Sequence, residues 1–142
     1  MAELPRMVAV VGTNASGKSG LGVELALRYG GEVISADSRQ VYRGLNLGSG
    51  KITPAERRGV PHHLLDVCEP GAFFSMADFQ RLAYTAADDI LARGRTPFLV
   101  GGTGLYVDAV TQGYALSEVK PDLAYRAELE THPTPELYAM LC

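Results

Sequence analysis

Short apolar runs alternate with stretches of helical periodicity along the chain. Runs of this length, bounded by glycine and polar clusters, are typical of buried β-strands. We expect strands at residues 7–11, 32–36, 63–67 and 96–100. Apolar positions recur at helical spacing in three other stretches, which predicts helices at about residues 18–29, 76–93 and 105–112. The alternation of strands and helices predicts βαβ units around a parallel sheet.

The periodic pattern weakens after Gly113. Two short exposed helices are predicted beyond it, at residues 122–131 and 135–141, and no further strand. We therefore expect a core over residues 1–113 and a separate, incomplete helical segment over residues 114–142.

A long, polar and irregular segment, residues 39–63, concentrates positive charge. The whole chain of 142 residues has a net charge of −3, which excludes a basic surface over the entire domain. Within the segment, however, the only acidic residue is Glu56, against the cations Arg39, Arg43, Lys51, Arg57 and Arg58. Such a patch either contacts the phosphates of a nucleic acid or is a solvated loop.

Composition excludes several classes of protein. Hydrophobic residues make up 46% of the chain and charged residues 20%, which is unlike an intrinsically disordered protein. No apolar run is long enough for a transmembrane helix, and we find no targeting leader. Two cysteines, Cys68 and Cys142, make no disulfide framework, so we expect a reducing compartment, the cytoplasm.

A glycine-rich loop, GTNASGKS at residues 12–19, carries the strongest chemical signal. It fits the pattern GxxxxGK[ST] without mismatch, and it follows an apolar strand and opens a helix. In such a loop successive backbone N–H groups point inward, the lysine adds a point charge, and the hydroxyl ligates Mg²⁺. We expect a di- or triphosphate to bind here, with Ser19 on the metal. The predicted binding residues are Gly12, Thr13, Asn14, Ala15, Ser16, Gly17, Lys18 and Ser19.

Three further polar residues follow predicted strands. Asp37 comes just after the second strand, so it lies at the same edge of a parallel sheet as the glycine-rich loop. It is either a general base or the cap of a turn. Thr103, in a glycine-rich turn after the fourth strand, is expected at this edge too. Asp66 either holds a metal ion through water or is an ordinary turn carboxylate.

Longer motifs indicate a family. The stretches GTNASGKS, ISADSRQVYRGLNLGSGK, GVPHHLLD and FLVGGTGLY occur in the order found in the tRNA dimethylallyltransferases. The resemblance covers about residues 7–130 and implies a P-loop NTPase-like three-layer α/β fold with a small parallel sheet. For the strand order we expect 2-3-1-4. Family members transfer a dimethylallyl group from dimethylallyl diphosphate to N6 of the adenosine on the 3′ side of the tRNA anticodon.

The resemblance also implies residue roles. The glycine-rich loop would hold the donor's diphosphate together with Mg²⁺, and Asp37 would take a proton from the adenosine amine. Thr103 would be a further catalytic or substrate contact. Contacts to tRNA are implied for Asp37, Ser38, Arg39, Gln40, Thr103 and Arg126. Residues 114–142 would begin a helical tRNA-binding insertion, and a monomer is expected.

The chain departs from the family pattern in two places and in length. Thr13 and Asn14 stand where the family usually has Pro-Thr, and Arg39 replaces a common Met. Family members are much longer, so the resemblance covers their N-terminal half only. Four functions stay open: the tRNA transferase, an adenylate prenyltransferase, a small-molecule P-loop kinase, and an inactive diphosphate-binding fragment.

Overall fold

The computed structural model describes residues 7–117 and 121–142. Within them the chain forms four strands and six helices. In chain order they are β1 (Val8–Val11), α1 (Lys18–Tyr29), β2 (Gly31–Ala36), α2 (Pro54–Arg57), β3 (His62–His63), α3 (Met76–Ala92), β4 (Thr96–Gly101), α4 (Gly104–Thr111), α5 (Leu123–Leu129) and α6 (Thr134–Leu141). Each predicted strand and helix is present, although the third strand is much shorter than predicted.

The four strands form one parallel sheet in the order β1-β4-β2-β3. The α/β class with a parallel sheet is confirmed, but the predicted strand order 2-3-1-4 is wrong. β4 lies between β1 and β2. The two interior strands of the sheet are therefore β4 and β2, and both are buried along nearly their whole length, as is typical of central parallel strands. β1 lies at an edge, where Val8 and Val11 are 40% and 58% exposed.

β3 ends early because the chain leaves the extended conformation directly after His63. Leu64 and Asp66 have φ values of 64° and 57°, in the left-handed region. The ladder to β2 therefore consists of His62 opposite Val33 and His63 opposite Ile34. The strand predicted over residues 63–67 is wrong beyond its first residue, and so short a strand cannot form the centre of the sheet.

Helices cover both faces of the sheet, as the three-layer architecture requires. On one face α3 and α4 pack on the sheet, and the rings of Phe79 and Tyr106 stack with centroids 4.0 Å apart. On the other face α1 packs on β2 and β4. Gly22 permits this close approach, since a Cβ there would lie 2.7 Å from Cγ2 of Val100.

A nearly buried carboxylate joins three elements at the amino end of β2. The side chain of Glu32 is 4% exposed and lies 2.7 Å from Nε2 of His63, 2.8 Å from Nη2 of Arg93 and 3.4 Å from Nη1 of Arg95. Burial raises the pKa of Glu32, but hydrogen bonds with His63 and Arg93 outweigh it, so the pKa lies below its ordinary value of 4.5. The carboxylate thus fastens β3, the end of α3 and the start of β4 to β2.

The C-terminal part forms the two short helices that the pattern predicts. Neither α5 nor α6 contains a buried residue. The division into domains at residue 113 stays a prediction. In the described part of the chain, no helix is long and apolar enough to cross a membrane.

Candidate functional site

A cavity of about 490 Å³ opens at the carboxyl edge of the sheet. It lies where the glycine-rich loop, α1, β2 and the irregular segment after β2 meet. Its apolar lining includes the side chains of Val33, Ile52 and Val100. The polar side chains that line it are Asn14, Ser16, Lys18, Ser19, Ser35, Asp37, Arg39, Gln40, Ser49 and His62.

The glycine-rich loop forms one side of this cavity, with residues 14–19 in the lining. Lys18 Nζ donates to the carbonyl of Thr13, and Ser16 Oγ donates to the same carbonyl at 2.8 Å. The loop leads directly into α1, whose N-cap residue Gly17 has a φ of 81° and makes no side-chain cap. The first N–H groups of a twelve-residue helix are therefore left for a ligand, an arrangement suited to an anion.

Gly102 lies directly beneath this loop. A Cβ at that position would lie 3.3 Å from the carbonyl oxygen of Gly12 and 3.6 Å from Cε of Lys18. Since Gly102 also lines the cavity, any larger residue there would occupy the space next to the lysine. The glycine-rich turn after β4 thus contributes space rather than side-chain chemistry.

Asp37 lies at the rim of the cavity and is half-buried. Its Oδ1 accepts hydrogen bonds from the backbone N–H of Arg39 at 2.8 Å and of Gln40 at 3.3 Å. The turn-capping interpretation is therefore correct for Oδ1. Oδ2 makes no hydrogen bond with the described residues, so this oxygen can accept a hydrogen bond or a proton from a ligand. The role of Asp37 as a base stays a prediction.

Thr103 supports this turn and does not line the cavity. Its Oγ1 accepts from the N–H of Ser38 at 3.0 Å and lies 3.4 Å from the Ser38 hydroxyl. Its own N–H donates to the carbonyl of Ala36 at 3.1 Å. The structure thus brings Thr103 and Ser38 to each other, and the substrate contacts predicted for both remain untested.

Gln40 lines the cavity, but its side chain is engaged within the protein. Oε1 accepts from the hydroxyl of Ser35 at 3.3 Å, and Nε2 donates to the carbonyls of Ser49 at 3.3 Å and Gly50 at 3.4 Å. We call residues 44–51 the wall loop, because Gly48, Ser49 and Gly50 form a side of the cavity. Sequence reasoning missed this wall, although its glycine-serine run was a usable signal.

Asp66 does not reach the cavity. Its Oδ1 accepts a hydrogen bond from Nζ of Lys51 at 2.5 Å. The described residues contain no group of three or more His, Cys, Asp or Glu side chains that could hold a metal ion. The predicted water-mediated metal contact of Asp66 remains untested, and its observed partner is a lysine.

The residues at the cavity nonetheless fit a magnesium ion of the usual phosphate-bound kind. Such an ion keeps several waters and takes one or two protein oxygens besides the phosphates of its ligand. The Ser19 hydroxyl, in the glycine-rich loop, lines the cavity and is a ligand of that type.

His62 is a further cavity residue that the sequence did not predict. Its Nδ1 lies 2.8 Å from the carbonyl of Val60. Burial lowers the pKa of His62, and the nearby charges of Arg57 and His63 lower it further, against the opposing effect of the Val60 carbonyl. Burial and the neighbouring charges thus favour the neutral form of the ring.

The basic patch is largely neutralised within the protein. Arg43 pairs with Glu69 at 3.0 Å, Arg58 pairs with Glu24, and Lys51 is buried. Arg39 is different, because it is exposed, lines the cavity, and its guanidinium makes no ion pair or hydrogen bond with the described residues.

Arg126 lies away from this cavity. It lines a second cavity of about 850 Å³ between the start of α3 and α5, together with Phe73, Gln80, Arg81 and Leu123. The structure therefore does not bring Arg126 to Asp37, and a contact of Arg126 with RNA would be made at this second place.

Fold and cavity together define a parallel α/β protein whose site combines an anion-suited loop with a carboxylate at the sheet's carboxyl edge. The family model described as IPP transferase matches residues 40–142. The chain belongs to this family, which confirms the resemblance carried by its motifs.

Named relatives agree with this assignment. A tRNA dimethylallyltransferase of Roseiflexus sp. (strain RS-1) is 54% identical over 124 residues, which cover 87% of this chain and 41% of the relative. One from Halalkalibacterium halodurans is 54% identical over 125 residues, covering 88% and 40%. The chain thus spans about two fifths of the length of these relatives.

Solved structures show the same fold. The full-length tRNA isopentenylpyrophosphate transferase from Bacillus halodurans superposes with a TM-score of 0.78 at 50% identity, covering 96% of this chain and 46% of that one. A eukaryotic dimethylallyltransferase acting on tRNA gives a TM-score of 0.71 at 28% identity, covering 94% and 37%.

Proposed function

We propose that this chain forms the donor-binding and proton-accepting part of a tRNA dimethylallyltransferase. The reaction would move a dimethylallyl group from dimethylallyl diphosphate to N6 of the adenosine on the 3′ side of the anticodon. One observation carries the proposal: a chain with about 50% identity to tRNA dimethylallyltransferases has, in a single cavity, an anion-suited loop and a carboxylate of which one oxygen has no hydrogen-bond partner among the described residues.

The donor's diphosphate would bind the glycine-rich loop. The N–H groups at the start of α1, together with Lys18, would neutralise the charge that develops on the diphosphate as it leaves. Magnesium, when bound through Ser19, would supply further neutralisation of that charge. The bond from C1 of the prenyl group to the diphosphate oxygen breaks, and its electron pair leaves with the diphosphate.

The acceptor adenosine would approach from the side of Asp37. A bond forms between N6 and C1, and one N6 proton passes to Oδ2 of Asp37, the oxygen that the turn does not use. An aligned carboxylate base typically adds about 10²–10⁴-fold to such a rate. Thr103 would act by holding Ser38 and the turn, and Gln40 by holding the wall loop.

The RNA would be held by few cations. Arg39, exposed at the cavity, is the best placed of the basic patch to meet a phosphate of the target nucleotide. Arg126 and Arg81 would contact the RNA at the second cavity. We propose that the protein acts as a monomer in the cytoplasm.

Mass spectrometry can test the function directly. The chain, dimethylallyl diphosphate and Mg²⁺ are mixed with an anticodon stem-loop RNA or with AMP, and a third sample contains ATP and no prenyl donor. The proposal predicts a gain of one prenyl group on the RNA alone. Prenylated AMP would instead indicate an adenylate prenyltransferase, and phosphate transfer from ATP a kinase.

Donor binding is tested separately, because the chain spans about two fifths of its relatives. Calorimetry should show binding of dimethylallyl diphosphate that Lys18→Ala abolishes and Arg43→Ala leaves intact. Binding without transfer in any sample would favour an inactive diphosphate-binding fragment. Equal binding by Lys18→Ala would remove the basis of the proposal.

A further inference from the structure

Lys51 is a buried lysine that the proposed chemistry does not use. Its side chain is 3% exposed, and Nζ donates to Oδ1 of Asp66 at 2.5 Å and to the carbonyl of Tyr42 at 2.7 Å. Burying an ammonium group is unfavourable unless it is paired and hydrogen-bonded, as it is here. The ammonium therefore joins the backbone at Lys51 to the segments that carry Tyr42 and Asp66.

Lys51 is the last residue of the wall loop. Inside the loop, its N–H donates to the carbonyl of Asn46 at 3.0 Å, and Ser49 Oγ donates to the carbonyl of Leu45 at 2.5 Å. The loop contains no helix or strand, so it depends on such hydrogen bonds for its shape. The ammonium of Lys51 fastens the end of this loop to the segments around Tyr42 and Asp66.

Gln40 continues the connection from the wall loop to the Asp37 turn. Its side chain donates to the carbonyls of Ser49 and Gly50, and its backbone N–H donates to Oδ1 of Asp37. Its carbonyl accepts from the N–H of Asp66 at 3.2 Å. Asp66 therefore contacts both Lys51 and Gln40, and the hydrogen-bonded chain runs unbroken from the buried ammonium to the carboxylate at the cavity.

We propose that Lys51 is a positioning residue for the acceptor side of the cavity. Its pairing with Asp66 holds the wall loop and Gln40 in place, and through them the turn that carries Asp37. The glycine-rich loop is not part of this hydrogen-bonded chain, so donor binding should not depend on Lys51. The catalytic meaning of the inference rests on the proposed function, whereas its structural content can be measured without it.

Two variants of the pair and one control test the inference. Lys51→Met removes the ammonium but keeps an unbranched side chain. Asp66→Asn keeps the shape, and asparagine tolerates the left-handed φ at this position, so mainly the charge changes. Glu24→Gln is the control, because it breaks an exposed ion pair with Arg58 away from the cavity lining.

Amide hydrogen exchange on the 142-residue chain reports the structural effect. Lys51→Met should speed exchange in residues 40–51 by roughly 10-fold or more and leave α1 and β4 unchanged, with a smaller effect from Asp66→Asn and none from Glu24→Gln. Affinity for dimethylallyl diphosphate should stay within about 2-fold, since the donor site lies outside the chain of contacts.

Single-turnover prenyl transfer reports the catalytic effect. Lys51→Met should lower the rate by roughly 10–100-fold, because small misplacements of a reacting group are costly. In a Gln40→Ala background, which has already lost the side-chain hydrogen bonds to Ser49 and Gly50, the same substitution should cost less than in the wild type, since part of the effect of Lys51 passes through that side chain. A role limited to general stability would give equal effects in both backgrounds.

Three results would overturn the inference: exchange that rises equally in α1 and β4, exchange in residues 40–51 that does not change, or additive effects of Lys51→Met and Gln40→Ala on the rate. A wild-type chain that binds the donor and transfers nothing would refute the proposed function instead. In that case the exchange pattern still tests the positioning role of Lys51. Faster exchange confined to residues 40–51 supports this role, and faster exchange throughout the chain refutes it.

Discussion

The two carboxylate oxygens of Asp37 have different surroundings, and a single substitution can separate their roles. Oδ1 caps the turn by accepting from two backbone N–H groups, whereas Oδ2 makes no hydrogen bond with the described residues. Asp37→Asn keeps an acceptor oxygen for the turn and replaces the oxygen that would take the proton. Asp37→Ala removes both. The pair of variants therefore distinguishes a cap from a base.

The magnitudes follow from the observed contacts. Loss of both hydrogen bonds at this half-buried position in Asp37→Ala should lower the free energy of unfolding by about 1–2 kcal/mol. Asp37→Asn keeps the acceptor and loses only the charge, so about 0.5 kcal/mol is expected. For a chain of this size, 1 kcal/mol corresponds to a shift in Tm of roughly 2–4 °C. Both variants should lower the rate of prenyl transfer by about 10²–10⁴-fold.

Denaturant unfolding, donor calorimetry and single-turnover transfer on the same samples make the test. Donor affinity should stay near that of the wild type in both variants, because the diphosphate binds the glycine-rich loop. Transfer at nearly the wild-type rate by a folded Asp37→Asn protein would refute the assignment of the base. A stability loss in Asp37→Asn as large as in Asp37→Ala would show that the cap requires the charge.

Three further predictions concern the core, the pH response and the cavity. Phe79→Ala should lower the free energy of unfolding by about 3–5 kcal/mol in denaturant titrations, because the ring is fully buried. Burial lowers the pKa of His62 from 6.5, so the unfolded chain binds more protons just below that pH and stability should fall as the pH drops through this range. His62→Gln should flatten the response in melts, whereas a slope equal to that of the wild type would contradict the assignment. Gly102→Val should abolish donor binding in calorimetry of the folded variant, since its side chain would fill the space beneath Gly12; retained affinity would show that the donor binds elsewhere.

Local signals were enough to predict most elements but not their arrangement. The apolar runs of β2 and β4 and the periodicity of α1 and α3 are properties of neighbouring residues, and the structure bears them out. Strand order depends on which strands pair, which no local pattern encodes. The chain also leaves the extended conformation at Leu64 and Asp66, where non-glycine residues adopt positive φ, and this shortened the strand that was expected at the centre.

The same distinction between local signals and long-range contacts applies to the site. The glycine-rich loop and Asp37 could be placed together because parallel strands end at one edge of a sheet. The glycine-serine run of the wall loop marks a loop but not its place at the cavity, because that place depends on contacts of Gln40 and Lys51 with residues nine and fifteen positions away. The pairing of Asp66 with Lys51, fifteen positions apart, likewise has no local signature.

The glycine-rich loop links ligand binding to the stability of β1, the strand that it follows. β1 pairs with β4 along four residues, and in the described chain this is its one strand partner, yet it carries the glycine-rich loop. Opening of β1 would dismantle the loop that it carries. A ligand that binds only the closed loop must then stabilise the strand, by about 2.7 kcal/mol at a concentration 100 times its Kd. Bound donor would therefore stabilise β1, and the amide groups of β1 should exchange more slowly in its presence.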